Sequence, residues 1–341
     1  MLPCGSVCKR VTTLSWHYGL PLPPVIRSGM WVAPLDTRPG PQMEHPLIDP
    51  RHAGLHLYDQ FREQLSVRSH TVPTLRIPGV SHVLAVASGK GGVGKTTVAV
   101  NLALALRQNG VRVGVFDADL YGPNILLMLG VRRQPSTSKP LNIPVVRTDR
   151  SPYIPPLERF GLQVMSLGLV LGDTDTIIAD GRFAGRMICQ TLQDVLWGEL
   201  DVLVLDFPPG TGEPQQTLLK TIHIDGVLLV TTPQDLSCMD TSRSAGLFHQ
   251  IGVPILGVIE NMSYLHCPHC GEPIEVFARS QREWAITDPT FEQLGRIPMH
   301  VAMSRGIDAN HPLLQTVSDS PEAAAFRHLA AEVSRKLGLQ P

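Results

Sequence analysis

Short apolar runs alternate along the chain with longer segments whose apolar positions recur at helical spacing. Continuous runs at 83–87, 111–116, 201–206, 226–231 and 254–259 predict strands buried on both faces, because a half-exposed strand would alternate polar and apolar residues. Helical spacing predicts helices near 97–108, 184–196, 240–251 and 321–337. Strand and helix in alternation is the rhythm of βαβ units, so the predicted fold class is α/β, a mostly parallel sheet flanked by helices. Residues 132–156 carry six prolines among polar residues and predict a surface insertion or long loop. The last helix has a modest apolar face of Ala and Leu and is expected to pack on the sheet. No internal repeat is present.

Composition narrows the function. With 43% hydrophobic residues in 341, the chain can bury a sizeable core. A formal net charge of −1 gives no electrostatic case for nucleic acid as a partner. No apolar run is long enough to cross a bilayer, so no transmembrane segment is expected. Six cysteines with a single C-x-x-C suit a reducing compartment better than a disulfide framework.

The first 75 residues read differently from the rest and predict an N-terminal extension ahead of one domain at 76–341. Residues 1–35 contain Lys9, Arg10 and Arg27 but no Asp or Glu, with Ser6, Thr12, Thr13 and Ser15 among them. That bias is expected of a transit peptide and predicts the mitochondrial matrix. Pro21, Pro23 and Pro24 oppose the amphipathic helix such a leader forms, so a disordered extension on a cytoplasmic protein is the alternative.

Candidate chemistry begins at Gly89-Lys90-Gly91-Gly92-Val93-Gly94-Lys95-Thr96, which fits G-x-x-x-x-G-K-[ST] between a predicted strand and a predicted helix. Glycines let backbone N–H groups surround phosphate oxygens, the helix N-terminus adds partial positive charge, and Lys95 neutralises the β- and γ-phosphates. The Thr96 hydroxyl would reach Mg²⁺. Gly89 to Thr96 together with Thr97 are therefore the candidate ATP-binding residues. Lys90, inside the loop, resembles the extra lysine of the deviant Walker A motif in the MinD and ParA class. That resemblance implies a P-loop NTPase fold and a catalytic Lys90 that reaches the partner's nucleotide across a two-fold axis.

Asp117 and Asp119 follow one predicted strand, and Asp206 ends another before Pro208-Pro209-Gly210-Thr211-Gly212. The carboxyl edge of an open α/β sheet is where ligands bind. Mg²⁺ takes oxygen ligands and keeps several waters, so Asp206 suits an outer-shell role through water.

Cys267-Pro268-His269-Cys270 is a second candidate centre. Two thiolates make half of a tetrahedral or cubane site, and a two-fold axis would double them to four. Three readings of the motif are open: a shared iron–sulfur cluster, a structural zinc knuckle and a thioredoxin-like redox pair. Gly271 and Pro273 oppose the helix that the redox pair needs. His266 and His269 read as solvated turn residues. Cys189 and Cys238 read as small buried side chains.

The chain resembles the Mrp/ApbC group of P-loop iron–sulfur cluster carriers. The residues that carry the likeness are Val86–Lys95, Asp117-Ala118-Asp119-Leu120-Tyr121-Gly122-Pro123, Trp197-Gly198-Glu199-Leu200-Asp201, Asp206–Gly212, Thr232-Pro233-Gln234-Asp235 and Glu260-Asn261-Met262-Ser263. The resemblance implies that Asp117 is catalytic in hydrolysis and that Asn261 contacts adenine. It also implies a homodimer that holds a [4Fe–4S] cluster between paired Cys267 and Cys270 and delivers it to apo iron–sulfur proteins. The segment from Arg68 to Val80 resembles the mitochondrial NUBPL-type branch, which implies complex I subunits as recipients. A positioning ATPase with structural zinc and a nucleotide-gated interaction protein are the alternatives. The chain departs from the group at Ala179-Asp180-Gly181-Arg182, where Trp-Arg-Gly-Pro is usual, at Glu213 for Asp and at Asn124 for Ser. The first departure puts in question the contact that this strip makes.

Overall fold

The computed structural model describes residues 74–131, 146–147, 152–169, 180–267, 269–277, 291–299, 311–316 and 318–339. The predicted leader, with Cys4 and Cys8, lies outside them apart from Thr74 and Leu75. Leu75 already belongs to the folded part, since it bridges to Ile222.

The sheet is built on β1 (Val80–Ser88), with β7 (Leu200–Asp206) on one side and β8 (Gly226–Thr231) on the other. Beyond β7 come β2 (Val113–Asp117), β6 (Leu162–Ser166) and β5 (Leu157–Arg159), and beyond β8 comes β9 (Ile255–His266). β11 (Gln293–Met299) also pairs with β9, in parallel. Only β5 on β6 and β10 (Pro273–Ile274) on β9 run antiparallel within this sheet. Every residue of β2 and β8 is buried, as an all-apolar run in a covered parallel sheet demands.

Helices link the parallel strands. α1 (Lys95–Gln108) joins β1 to β2, α4 (Glu213–Thr221) joins β7 to β8, and α5 (Asp235–Ile251) joins β8 to β9. The connection from β1 and the one from β7 leave in opposite directions across the sheet, which makes the carboxyl ends of this strand pair a topological switch point. α2 (Ile125–Met128) and α6 (Leu313–Thr316) are single turns, and α3 (Gly181–Asp194) packs against α4. α7 (Pro321–Leu337) starts with the Ser320 hydroxyl accepting from Ala323 N–H and ends at Gly338. It buries Ala323, Phe326, Leu329, Ala330 and Val333 and touches α1 and β11, so the last helix packs on the domain as expected.

Three expectations change. β9 runs on to residue 266 rather than 259, because β11 supplies ladder partners from Val258 to Leu265. β5, β6 and β11 are strands that mixed polarity concealed. Within the predicted loop at 132–156, the described residues form a two-stranded ladder, β3 (Val146–Arg147) with β4 (Pro152–Tyr153), and Ile154 bridges to Val195.

Phe116 is fully buried in β2 with its ring edge toward Trp197, centroids 6.3 Å apart. Phe116→Ala should cost about 3–5 kcal/mol, measured by urea unfolding, because the rigid parallel strands cannot close the cavity. A loss below about 1 kcal/mol would contradict this packing.

Candidate functional site

Three carboxyl strand ends meet at the switch point. Asp206 is the register partner of Val86 in β1 and of Asp117 in β2, so two carboxylates stand side by side on neighbouring strands beside the loop from Gly89 to Gly94. Gly94 occupies the left-handed region at φ +83 and opens α1. Gly89 has no room for a side chain, since a Cβ there would run into the backbone of Asp240 in α5. At Gly91 and Gly92 a Cβ would meet nothing within 4 Å, so the loop's outer rim faces open space of the kind phosphate needs.

Asp206 is fully buried and divides its two oxygens. Oδ1 accepts from Lys95 Nζ at 2.5 Å, and Oδ2 accepts from the Thr96 hydroxyl at 2.7 Å. Lys95 is itself buried, so the pair is a low-dielectric ion pair. Lys90 is half-buried and its carbonyl accepts from the Ser88 hydroxyl, while the Thr97 carbonyl accepts from Asn101.

Asp117 accepts from the backbone N–H groups of Asp119 and Ile125 and from the Ser166 hydroxyl at 3.1 Å. Burial, then the Asp206 carboxylate, push its carboxyl up to about 8, against the pull of the Ile125 and Asp119 N–H groups and of Lys95. Burial likewise raises Asp119. Ser166 was not a sequence candidate, and no motif marks it.

Asn261 lies in β9 with its side chain buried against the loop. Nδ2 donates to the Val93 carbonyl at 2.8 Å. The next residue, Met262, has φ +56, which is uncommon for a side chain of this kind, and the Ser263 hydroxyl closes back on the Glu260 carbonyl at 2.6 Å. The ladder with β11 slips here, from Ile297 opposite Asn261 to Met299 opposite Leu265. β9 therefore carries a bulge just after Asn261.

Past the bulge β9 ends at the cysteines. Cys267 is buried and Cys270 exposed in a turn fixed by Cys267 N–H to the Glu272 carbonyl and Gly271 N–H to the Cys267 carbonyl, both 2.8 Å. Four residues of β9 lie between Asn261 and His266, so strand rise sets an upper limit of roughly 17 Å between those two positions. His266 is not a solvated turn residue: it ends the strand, with Nδ1 3.5 Å from the buried Glu322 carboxylate and its ring edge toward Tyr264. His269 is exposed. Among the described residues no group of three or more His, Cys, Asp and Glu comes together as a metal site. Cys189 and Cys238 stand apart, their thiols raised by burial.

A family model described as NUBPL iron-transfer P-loop NTPase matches residues 79–334. The chain belongs to this family. It is 38% identical over 276 residues to the iron-sulfur cluster carrier protein of Escherichia coli K12, covering 79% of this chain and 72% of that protein. It is 36% identical over 270 residues to the iron-sulfur cluster transfer protein NUBPL of Dictyostelium discoideum, covering 79% and 81%. Among solved structures, the Archaeoglobus fulgidus nucleotide-binding protein in complex with ADP is similar at TM-score 0.56 and 31% identity, over 68% of this chain and 87% of that one. The Pyrococcus furiosus cell division ATPase MinD is similar at TM-score 0.53 and 25% identity, over 75% and 99%.

Two departures from the family pattern turn out to touch each other. Asp180 caps α3 by accepting from Phe183 N–H at 2.7 Å, and Arg182 meets Glu213 at 3.0 Å. A Cβ on Gly181 would come within 2.8 Å of the Glu213 Cβ. The strip thus abuts the first turn of α4, directly after Gly212.

Asp206→Asn should collapse the preference for nucleotide with Mg²⁺ over nucleotide without it, because Lys95 loses its internal anion and the site loses a carboxylate suited to hold Mg²⁺ through water. Hydrolysis should fall by at least about tenfold, and the protein without nucleotide should lose about 3–5 kcal/mol. Titration calorimetry with and without Mg²⁺ checks it, and an unchanged Mg²⁺ preference would contradict this role for Asp206.

Proposed function

We propose that the chain is an ATP-driven carrier of [4Fe–4S] clusters, working as a homodimer that holds its cargo between two copies of Cys267 and Cys270 and passes it to apo iron–sulfur proteins. The observation that carries this reading is that β9 links the two centres: Asn261 within it touches the phosphate loop, and the strand ends at His266, next to Cys267. Relatives named as cluster carrier and transfer proteins support the cargo.

In this reading Lys95 leaves Asp206 for the β- and γ-phosphates. Thr96 and Asp206 would hold Mg²⁺, Asp206 through water, and the ion would offset phosphate charge. Lys90 serves the partner's nucleotide, Asp117 acts in hydrolysis, and Asn261 contacts adenine. Gly89 to Thr97 wrap the phosphates. ATP turnover resets the Pro208–Gly212 loop and, through β9, the cysteine turn.

Two thiols per chain cannot satisfy a four-thiolate cluster, so cluster binding and dimer stability are linked. Cys267→Ser or Cys270→Ser should abolish cluster uptake after anaerobic reconstitution and weaken the cluster-dependent dimer in sedimentation, with ATP affinity changed less than about twofold. A double variant that still assembles a full cluster would sink the bridging model, and zinc retained without iron uptake would favour the positioning ATPase with a zinc knuckle.

The mitochondrial matrix and complex I subunits complete the proposal, supported by the acid-free leader and by likeness to NUBPL. Residues 1–75 fused to a fluorescent reporter should carry it into mitochondria and be cleaved before the domain at 76–341. A diffuse cytosolic reporter would remove the complex I link.

A further inference from the structure

The first turn of α4 holds a polar side chain that the reading above leaves idle. Gln215, Leu218, Leu219 and Ile222 form one helical stripe, and all four are buried. Three are apolar, as an inward stripe requires. Gln215 is 0% exposed, yet neither its Oε1 nor its Nε2 has a hydrogen-bond partner in the protein. An unpaired buried carboxamide is costly, and a Leu or Met would fill the same place without that cost.

Its surroundings say what it serves. Gln215 follows Gly212, the N-cap of α4, by three residues, so it sits in the first turn of the helix that the loop leaving Asp206 enters. That loop is already tied down elsewhere: Gly210 N–H donates to the Ser88 carbonyl at 3.0 Å, and Gln216 Nε2 donates to the Thr211 carbonyl at 3.0 Å. Behind Gln215 the helix is braced by the Arg182 and Glu213 pair, with Pro214 in its first turn. Loop residues Pro209, Thr211 and Gly212 are exposed, whereas Gln215 is buried. A carboxamide offers a C=O and an N–H side by side, which is the complement of a backbone peptide group.

We propose that Gln215 is a positioning residue for the nucleotide switch, whose carboxamide pairs with the backbone of the Pro208–Gly212 loop when that loop takes its MgATP-bound setting. The polar group is retained in an apolar stripe because one of the two loop settings satisfies it. Pairing in that setting only favours it over the other, so Gln215 biases the loop toward MgATP. The proposal rests on the ATP-driven reading. A wild-type protein that does not bind MgATP would overturn that reading before any variant is made.

Gln215→Leu and Gln215→Met separate a switch residue from a structural one. Without nucleotide, both should melt at the wild-type temperature or about 2–4 °C higher, since an unsatisfied group is removed. The rise in melting temperature produced by a non-hydrolysable MgATP analogue should shrink, and kcat should fall about tenfold with a smaller change in KM. A carboxamide satisfied by a fixed internal water predicts the reverse: lower melting without nucleotide and an undiminished nucleotide-induced rise. Either that pattern or an unchanged kcat overturns the proposal. If both variants fail to fold, hydrogen exchange on the wild type decides. MgATP should slow exchange at Gly210, Thr211, Gly212 and the first turn of α4, and unchanged exchange there overturns it.

Discussion

Asp206 is the fixed point of the nucleotide end of this domain. It sits at the end of a strand buried on both faces, and its two oxygens hold Lys95 and Thr96 of the phosphate loop. A lysine and a carboxylate out of water must stay paired or be paired anew, since either one left alone is far more costly than the pair. MgATP is a ligand that can release both partners at once, because it brings phosphate for the lysine and a metal for the carboxylate. Asp117, on the adjoining strand at the same register, tightens the constraint. Two neighbouring buried carboxylates cannot both carry charge cheaply, and a divalent cation bound nearby would relieve them.

That constraint reaches the cysteines through β9. Asn261 Nδ2 donates to the Val93 carbonyl, which ties the phosphate loop to the strand. The bulge at Met262 then separates the gripped part from the segment that ends at Cys267, and Glu260 and Tyr264 on either side are both engaged by Arg296. A left-handed residue with a full side chain is a costly conformation, and such positions persist where the surroundings fix them. Loop, strand and cysteine turn are therefore physically continuous, with a bend of fixed geometry between the two centres.

Much of this was legible in the sequence because the chemistry is local. The phosphate loop needs consecutive glycines and a lysine, the strand ends need an Asp after an apolar run, and the half-site needs two cysteines three apart. The five buried strands were legible for the same reason, since a covered parallel strand is apolar without interruption. What stayed hidden depends on partners distant in sequence. Leu162–Ser166 and Gln293–Met299 mix polar and apolar residues and become strands only because β2 and β9 offer edges. His266 reads as a turn residue until Glu322, far along the chain, turns up against it. The departures at Arg182 and Glu213 looked unrelated and prove to be neighbours.

The central claim is that one chain supplies half of a cluster site and a two-fold axis supplies the rest. Anaerobic reconstitution of the wild-type protein, followed by iron and sulfide analysis and Mössbauer spectroscopy on the sedimenting species, tests it most directly. The account predicts about four irons and four sulfides per dimer with the signature of a [4Fe–4S] cluster. A full cluster on a monomer, or tightly held zinc with no iron uptake, would contradict it.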